Sequence, residues 1–345
     1  MTAKKRPNIV LILNDDMGYS DLGCYGGEVH TPTLDGLAAN GLRFSQFYNT
    51  ARCSPSRASL LTGLHPHQTG IGILTYDSGP EGYAGNLNQR CVTIAEVLKS
   101  GGYRTYMSGK WHVSSNLKTP TDSWPMQRGF DRFYGTIIGA GSFYDPNTLT
   151  RGNDNIEHEA RADGFFYTDA ISDQAAAYIR EHHAEHPEQP FFEYVAYTAP
   201  HWPLHAHDED IARYQGRFDA GWDALREARW QRAQALGLIP QGAALAPMNA
   251  RLSRWSAQTP DDRALFSRSM AVYAGMLEAM DDNVGRFIAY LQSRGVADNT
   301  IFVVTSDNGQ PLPWPTMDDT GNAGTILPEN TAAMMFDPET GAAIG

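Results

Sequence analysis

Residues 8–16 read "NIVLILNDD", an unbroken run of aliphatic side chains that stops at two adjacent carboxylates. A strand with one wet face alternates apolar and polar residues, whereas a continuous apolar run suits a strand buried on both faces. The form recurs: "FSQFYN" (44–49), "YRTYMSG" (103–109), "FFEYVAYT" (191–198) and "TIFVVTSDNG" (300–309) are further strand candidates. Between them lie helical patterns: "TPTLDGLAANG" (31–41), with proline near its start and glycine at its end, "TIAEVLKSGG" (93–102), and "TDAISDQAAAYIREHH" (168–183). A longer one spans 264–293, where Tyr273, Met276, Leu277, Met280, Val284, Phe287, Ile288 and Leu291 recur at three- and four-residue spacing. Strands alternating with helices predict an α/β fold with a mostly parallel central sheet flanked by helices. Such sheets hold ligands at the carboxyl ends of their strands. Residues 201–264 lack strand character and predict a polar helical insertion or rim.

At 345 residues, 41% of them hydrophobic and 19% charged, the chain is long enough for a sizeable core. Its formal net charge of -12 excludes a basic field for coating nucleic acid or anionic membrane, so an anionic substrate must be held by a few local cations. The amino terminus, "MTAKKRPNIVLILNDD", has too short an apolar segment for a signal peptide or a membrane span, and predicts a cytoplasmic chain or one whose leader has been removed. Cys24, Cys53 and Cys91 are odd in number and widely spaced, which suits neither a disulfide framework nor a thiolate zinc site. Cys24 and Cys91 read as small buried hydrophobes.

Several chemically capable residues fall at strand ends. Asp15 and Asp16 follow the first strand, Lys110 follows the 103–109 strand, His201 follows the 191–198 strand, and Asp307 with Asn308 follows the last. Either acidic pair alone is ordinary turn or cap chemistry, but together they offer hard oxygen ligands that fit calcium or magnesium better than zinc. In "GKWH" (109–112) an extended backbone would point Lys110 and His112 to one face, an anion-binding ammonium beside a proton carrier. His201 sits between two prolines, while His205 and His207 lie in a polar continuation and read as solvated. In "ARCSPSRASLLTG" (51–63), Cys53 stands at or just before a helix amino terminus, where free N–H groups favour negative charge, and Arg57 follows one turn on. These parts point to a small tetrahedral oxyanion ester, sulfate or phosphate, and spacing alone does not choose between them.

"CSPSRASLLTG" resembles the signature of type I sulfatases, C-x-P-S-R followed by x-x-x-L-T-G. "NIVLILNDDMGYSDLGCYGG", "GKWH", "APHWPLHA" and "NTIFVVTSDNG" follow the family order over roughly residues 7–310, and "GRFDAGWDALREARWQR" is similar to the bacterial arylsulfatases. The resemblance implies an alkaline-phosphatase-like sandwich in which Asp15, Asp16, Asp307 and Asn308 hold calcium, with magnesium as the alternative, against residue 53. It further implies that a maturation enzyme oxidises Cys53 to formylglycine. The hydrated aldehyde, made acidic by the cation and Arg57, would attack the sulfur of an aryl or other small sulfate ester. His112 would then remove a proton so that the aldehyde re-forms and sulfate departs. Lys110 and His201 would bind sulfate oxygens, His201 also protonating the leaving group.

Related sulfatases carry a further lysine beyond the Asp-Asn pair and a smaller carboxyl-terminal domain. From Gly295 to Gly345 this sequence has no Lys, Arg or His. The expectation is one catalytic domain over 1–345 whose segment 311–345 is a divergent or truncated tail. Two alternatives stand beside sulfate-ester hydrolysis: a phosphonate monoester or phosphodiester hydrolase of the same superfamily, and a weak or silent sulfate-ester-binding protein.

Overall fold

A computed structural model describes residues 6–248 and 253–310. The expected tail, 311–345, lies outside the described residues. The elements are, in chain order, β1 (Asn8–Asn14), α1 (Pro32–Ala39), α2 (Cys53–Thr62), α3 (Pro66–Thr69), α4 (Ile94–Ser100), β2 (Arg104–Gly109), β3 (Arg132–Thr136), β4 (Leu149–Arg151), β5 (Asp154–Asn155), α5 (Tyr167–Glu185), β6 (Phe191–Ala196), α6 (Asp208–Ala212), α7 (Gly221–Ala235), α8 (Pro260–Ser293) and β7 (Thr300–Ser306). The described residues fall into two compact units, the first formed by 6–17, Tyr48–Ala199 and Asn283–Gly309, the second by Gly18–Phe47, Pro200–Asp282 and Gln310.

The first unit holds a seven-stranded sheet in the order β5-β4-β3-β2-β6-β1-β7. The five strands from β3 to β7 in that order run parallel, and β4 and β5 add an antiparallel edge. Burial explains the unbroken apolar runs of β1 and β6, whereas β7 departs from the expectation, with Ile301 and Val303 exposed. Along β6 one set of side chains, Phe192, Tyr194 and Ala196, joins Leu11 and Leu13 of β1 and Met107 of β2 in a core closed by Ala58 and Leu61 of α2 and by Trp111 and Phe130. The opposite set faces the buried stripe of α5, where Ile171, Ala175, Tyr178 and Ile179 recur at helical spacing. Sequence neighbours in this sheet are not spatial neighbours. β1 pairs with β6 and β7, so residues 8–14 lie beside residues 300–306.

In the second unit the expected insertion supplies α6 and α7 and no strand among the described residues. α1 is anchored at its amino end by Asp281 of α8, which accepts from the N–H groups of Thr33 and Leu34 at 2.9 and 2.8 Å. Arg229 of α7 bridges Asp21 and Glu28 at 2.7 Å each. No helix among the described residues is long and apolar enough to cross a membrane.

Two readings need correction. "FSQFYN" is irregular rather than a strand, with Phe44, Phe47 and Tyr48 exposed; its aromatic content mimicked strand propensity without a pairing partner. β3, β4 and β5 were not anticipated, because runs of five, three and two residues are too short to establish a period.

Candidate active site

Register carries the two acidic pairs to one place. Asn14 of β1 is paired with Ser306 of β7, so Asp15 and Asp16 leave the sheet beside Asp307 and Asn308. Asp307 N–H donates to the Asn14 carbonyl at 3.2 Å, Asp16 N–H donates to Asp307 Oδ1 at 3.2 Å, and the Asn308 amide donates to Asp16 Oδ1. Asp16 takes a left-handed backbone, φ 62°, a conformation that costs free energy for a residue with a Cβ and is held here by those contacts.

α2 brings the third element. Its N-cap, Arg52, is extended, so Cys53 is the first helical residue, and Arg57 one turn later projects into the same cluster. An arginine on a helix is usually solvated, but this one is fully buried. Its Nε donates to Asp307 Oδ2 at 3.0 Å, one terminal nitrogen lies 2.9 Å from Asp307 Oδ2 and 3.4 Å from Asp15 Oδ1, and the other donates to the Lys110 carbonyl at 2.9 Å. Lys110, also fully buried, donates its ammonium to Asp15 Oδ2.

Three buried carboxylates therefore face two cations. Burial, then the charge of Asp15, holds the Asp307 carboxyl above the ordinary aspartate range, while the two carboxylates push the Arg57 guanidinium up against the effect of burial. A cluster of hard oxygen donors with negative charge left over matches a divalent hard cation, and Asp15, Asp16, Asp307 and Asn308 are the residues present to hold one. The Cys53 thiol lies within the fields of Lys110, Asp15, Asp307 and Arg57; burial is the largest influence and pushes it up, so the helix terminus does not by itself make it a thiolate.

Lys110 and His112 do not share a face by strand alternation. Gly109 has φ 116°, and a Cβ there would meet the Ala196 carbonyl oxygen at 1.9 Å, so the chain turns at the strand end as only glycine permits. Lys110 then points inward to Asp15, whereas half-buried His112, with φ 55°, packs its ring against Gly139. His201 belongs to the second unit, half-buried, with Nδ1 against the Trp202 carbonyl and its ring 5.1 Å from that indole. His205 is not solvated: it is buried between buried Leu204 and Ala206, and burial pushes its pKa below the ordinary histidine value. Cys91 is buried as expected, but Cys24 is half-buried, its thiol pushed up to about 12 by burial and by Asp35.

Sequence reasoning missed Tyr194. Its side chain is fully buried and within the fields of Arg57, Asp307 and Asp15, and burial pushes its hydroxyl well above the ordinary tyrosine value. Alternation along "FFEYVAYT" was the available signal, since it sets Tyr194 on the same face as Phe192 and Ala196.

The Sulfatase family profile matches residues 7–333. An arylsulfatase of Klebsiella aerogenes is 36% identical over 318 residues, covering 89% of this chain and 67% of that protein. Human N-acetylgalactosamine-6-sulfatase is 29% identical, over 90% of this chain and 51% of its own length. Among solved structures, Ps i-CgsB superposes with a TM-score of 0.64 at 27% identity, covering 93% of this chain and 61% of that one. This chain thus spans about half to two thirds of the length of these proteins.

Proposed function

This chain belongs to the sulfatase family, and on that premise we propose that it hydrolyses aryl or other small sulfate esters to an alcohol or phenol and inorganic sulfate, using formylglycine made from Cys53. The observation that carries this reading is the buried bridge of Arg57 between Asp15 and Asp307 beside residue 53. A formylglycine at position 53 would supply, as its hydrate, an oxygen nucleophile that can give up its product by re-forming the aldehyde. Asp15, Asp16, Asp307 and Asn308 would hold a calcium or magnesium ion, which would supply Lewis-acid charge.

The chain's own residues do the rest. Arg57, held by hydrogen bonds to Asp307 and the Lys110 carbonyl and by its ion pair with Asp15, keeps its positive charge fixed where negative charge collects, so no reorganisation is needed during reaction. Lys110 fixes the Asp15 carboxylate through its buried ion pair. His112 accepts a proton at a ring nitrogen in the release step. Pro55 and Arg57 are buried in α2, so the maturation enzyme would read this segment before the chain folds.

The test compares initial rates on 4-nitrophenyl sulfate, phenyl phosphonate and a phosphodiester, together with the mass of the tryptic peptide that begins at residue 53. The expected result is an aldehyde at 53 and the highest rate on the sulfate ester. Equal or higher rates on the phosphorus esters would instead assign phosphonate or phosphodiester hydrolysis. An unmodified thiol in protein from a host with the maturation enzyme, with no turnover after added calcium, would assign a silent binding protein. Cys53→Ser should accept sulfate once and then stall, because serine cannot re-form a carbonyl.

A further inference from the structure

The turn that joins α2 to α3 carries metal-ligating side chains that the proposed reaction does not use. His65 and His67 flank Pro66, the first residue of α3. Their Nδ1 atoms lie 3.0 Å apart, with ring centroids 4.9 Å apart and planes 18° from parallel. On the other edge of His67, Nε2 lies 2.9 Å from the Tyr83 hydroxyl, and the two rings meet edge-on at 5.0 Å. Glycine at 72 makes room for the ring, since a Cβ there would approach His67 Cδ2 to 2.8 Å. Both histidines are exposed, while Pro66 and Thr69 of the same turn are buried.

Two imidazole nitrogens this close converge on one proton, and a metal ion can take the proton's place. Nitrogens 3.0 Å apart, each about 2.05 Å from a shared ion, subtend about 94° there. Tetrahedral zinc prefers about 109° and a wider spacing, whereas neighbouring positions of a square-planar or octahedral ion stand about 90° apart. When the Tyr83 oxygen accepts from Nε2–H of His67, Nδ1 is left with its lone pair toward His65, the tautomer a metal needs. Pro66 restricts the intervening backbone, so the pair is partly organised before any ion arrives.

We propose that His65 and His67 form a two-nitrogen surface site for a divalent transition ion of the copper or nickel type, with Tyr83 as a positioning residue and water completing the coordination. The site differs in chemistry from the oxygen-donor cluster at the strand ends, so the two can be separated. Full-length protein in saturating calcium is titrated at pH 7.5 with copper supplied as its glycine complex, and separately with nickel and zinc, and read by calorimetry and electron paramagnetic resonance. One equivalent of copper with hyperfine coupling to two nitrogens is expected, and nickel should bind more tightly than zinc. His65→Ala and His67→Ala should each lose at least tenfold in copper affinity with unchanged circular dichroism and unchanged hydrolysis of 4-nitrophenyl sulfate. Tyr83→Phe should keep the stoichiometry but shift the pH midpoint of copper uptake, because the tautomer is no longer fixed. Copper affinity and spectrum unchanged in the His65→Ala/His67→Ala double variant, an oxygen-only spectrum, or tighter zinc than nickel would each overturn the proposal.

Discussion

Arg57 carries a charge to a position with no exposed surface, and Asp15, Asp307 and the Lys110 carbonyl between them occupy its fork of donors. A lysine ammonium is a point charge and cannot reproduce that planar reach to three groups at once. Arg57→Lys should therefore lower kcat/KM for 4-nitrophenyl sulfate by about two to three powers of ten. Arg57→Ala should in addition cost about 3–5 kcal/mol of stability, read from the urea midpoint, because it leaves two buried carboxylates less compensated. A Lys variant at the wild-type rate would remove Arg57 from the reaction. At this scale residue types at strand ends were legible, but partners were not. Lys110 reads as an anion-binding ammonium in sequence, and its ion pair with Asp15 leaves no trace there. The left-handed backbones of Asp16 and His112 leave no periodic trace, since each is imposed by contacts from distant segments. His205 misled because a polar stretch of sequence does not by itself set exposure: the side chain is buried, as are Leu204 and Ala206 beside it.

Among the elements, β6 contains an anomaly that its apolar pattern conceals. Glu193 is fully buried, with Tyr106 opposite on β2 and the Tyr178 hydroxyl of α5 in its field; its Oε1 accepts from Ser108 Oγ at 3.3 Å, and Oε2 has no hydrogen-bond partner among the described residues. Burial holds its pKa well above the ordinary value of 4.5. The unfolded chain releases this proton at lower pH than the folded chain does. The stabilisation is therefore complete below the unfolded value and is lost as pH rises toward the folded one. Glu193→Gln should match wild type near pH 4, below the ordinary value of 4.5, and exceed it increasingly toward pH 8 in urea midpoint; a difference independent of pH would contradict this. The start of α4, by contrast, was readable from "TIAEVLKSGG". Thr93 Oγ1 accepts from Glu96 N–H at 3.1 Å while Glu96 Oε2 accepts from Thr93 N–H at 2.6 Å. Thr93→Ala should cost about 1–2 kcal/mol by urea unfolding, and Thr93→Ser much less. Elements with a cap or a full period were thus legible, whereas β3 to β5 owe their existence to the edge they pair with rather than to their own residues.

For the molecule as a whole, the sheet's order matters more than any one strand. β1 and β7 are adjacent, yet their carboxyl ends contribute ligands numbered 15 and 16 on one side and 307 and 308 on the other. A cation held there would join the first and last strands of the first unit, contacts whose loop closure is costly and late in folding. Because the unfolded chain scatters these donors, binding acts on the folded state alone and stabilises it by about 2.7 kcal/mol at a hundredfold excess over Kd. Scanning calorimetry should accordingly show a higher Tm in calcium than in chelator, with a smaller rise in magnesium, whose demand for a compact octahedral shell suits a set of side-chain oxygens less well. Asp16→Asn should abolish most of the calcium response while keeping a folded chain in chelator, since Asp16 is not among the Arg57 partners. A wild-type Tm indifferent to calcium would mean that the folded cluster, three carboxylates against Arg57 and Lys110, needs no cation to offset its remaining charge. In that event the excess negative charge must instead be met by a proton on Asp307, the carboxyl that burial and Asp15 already hold upward.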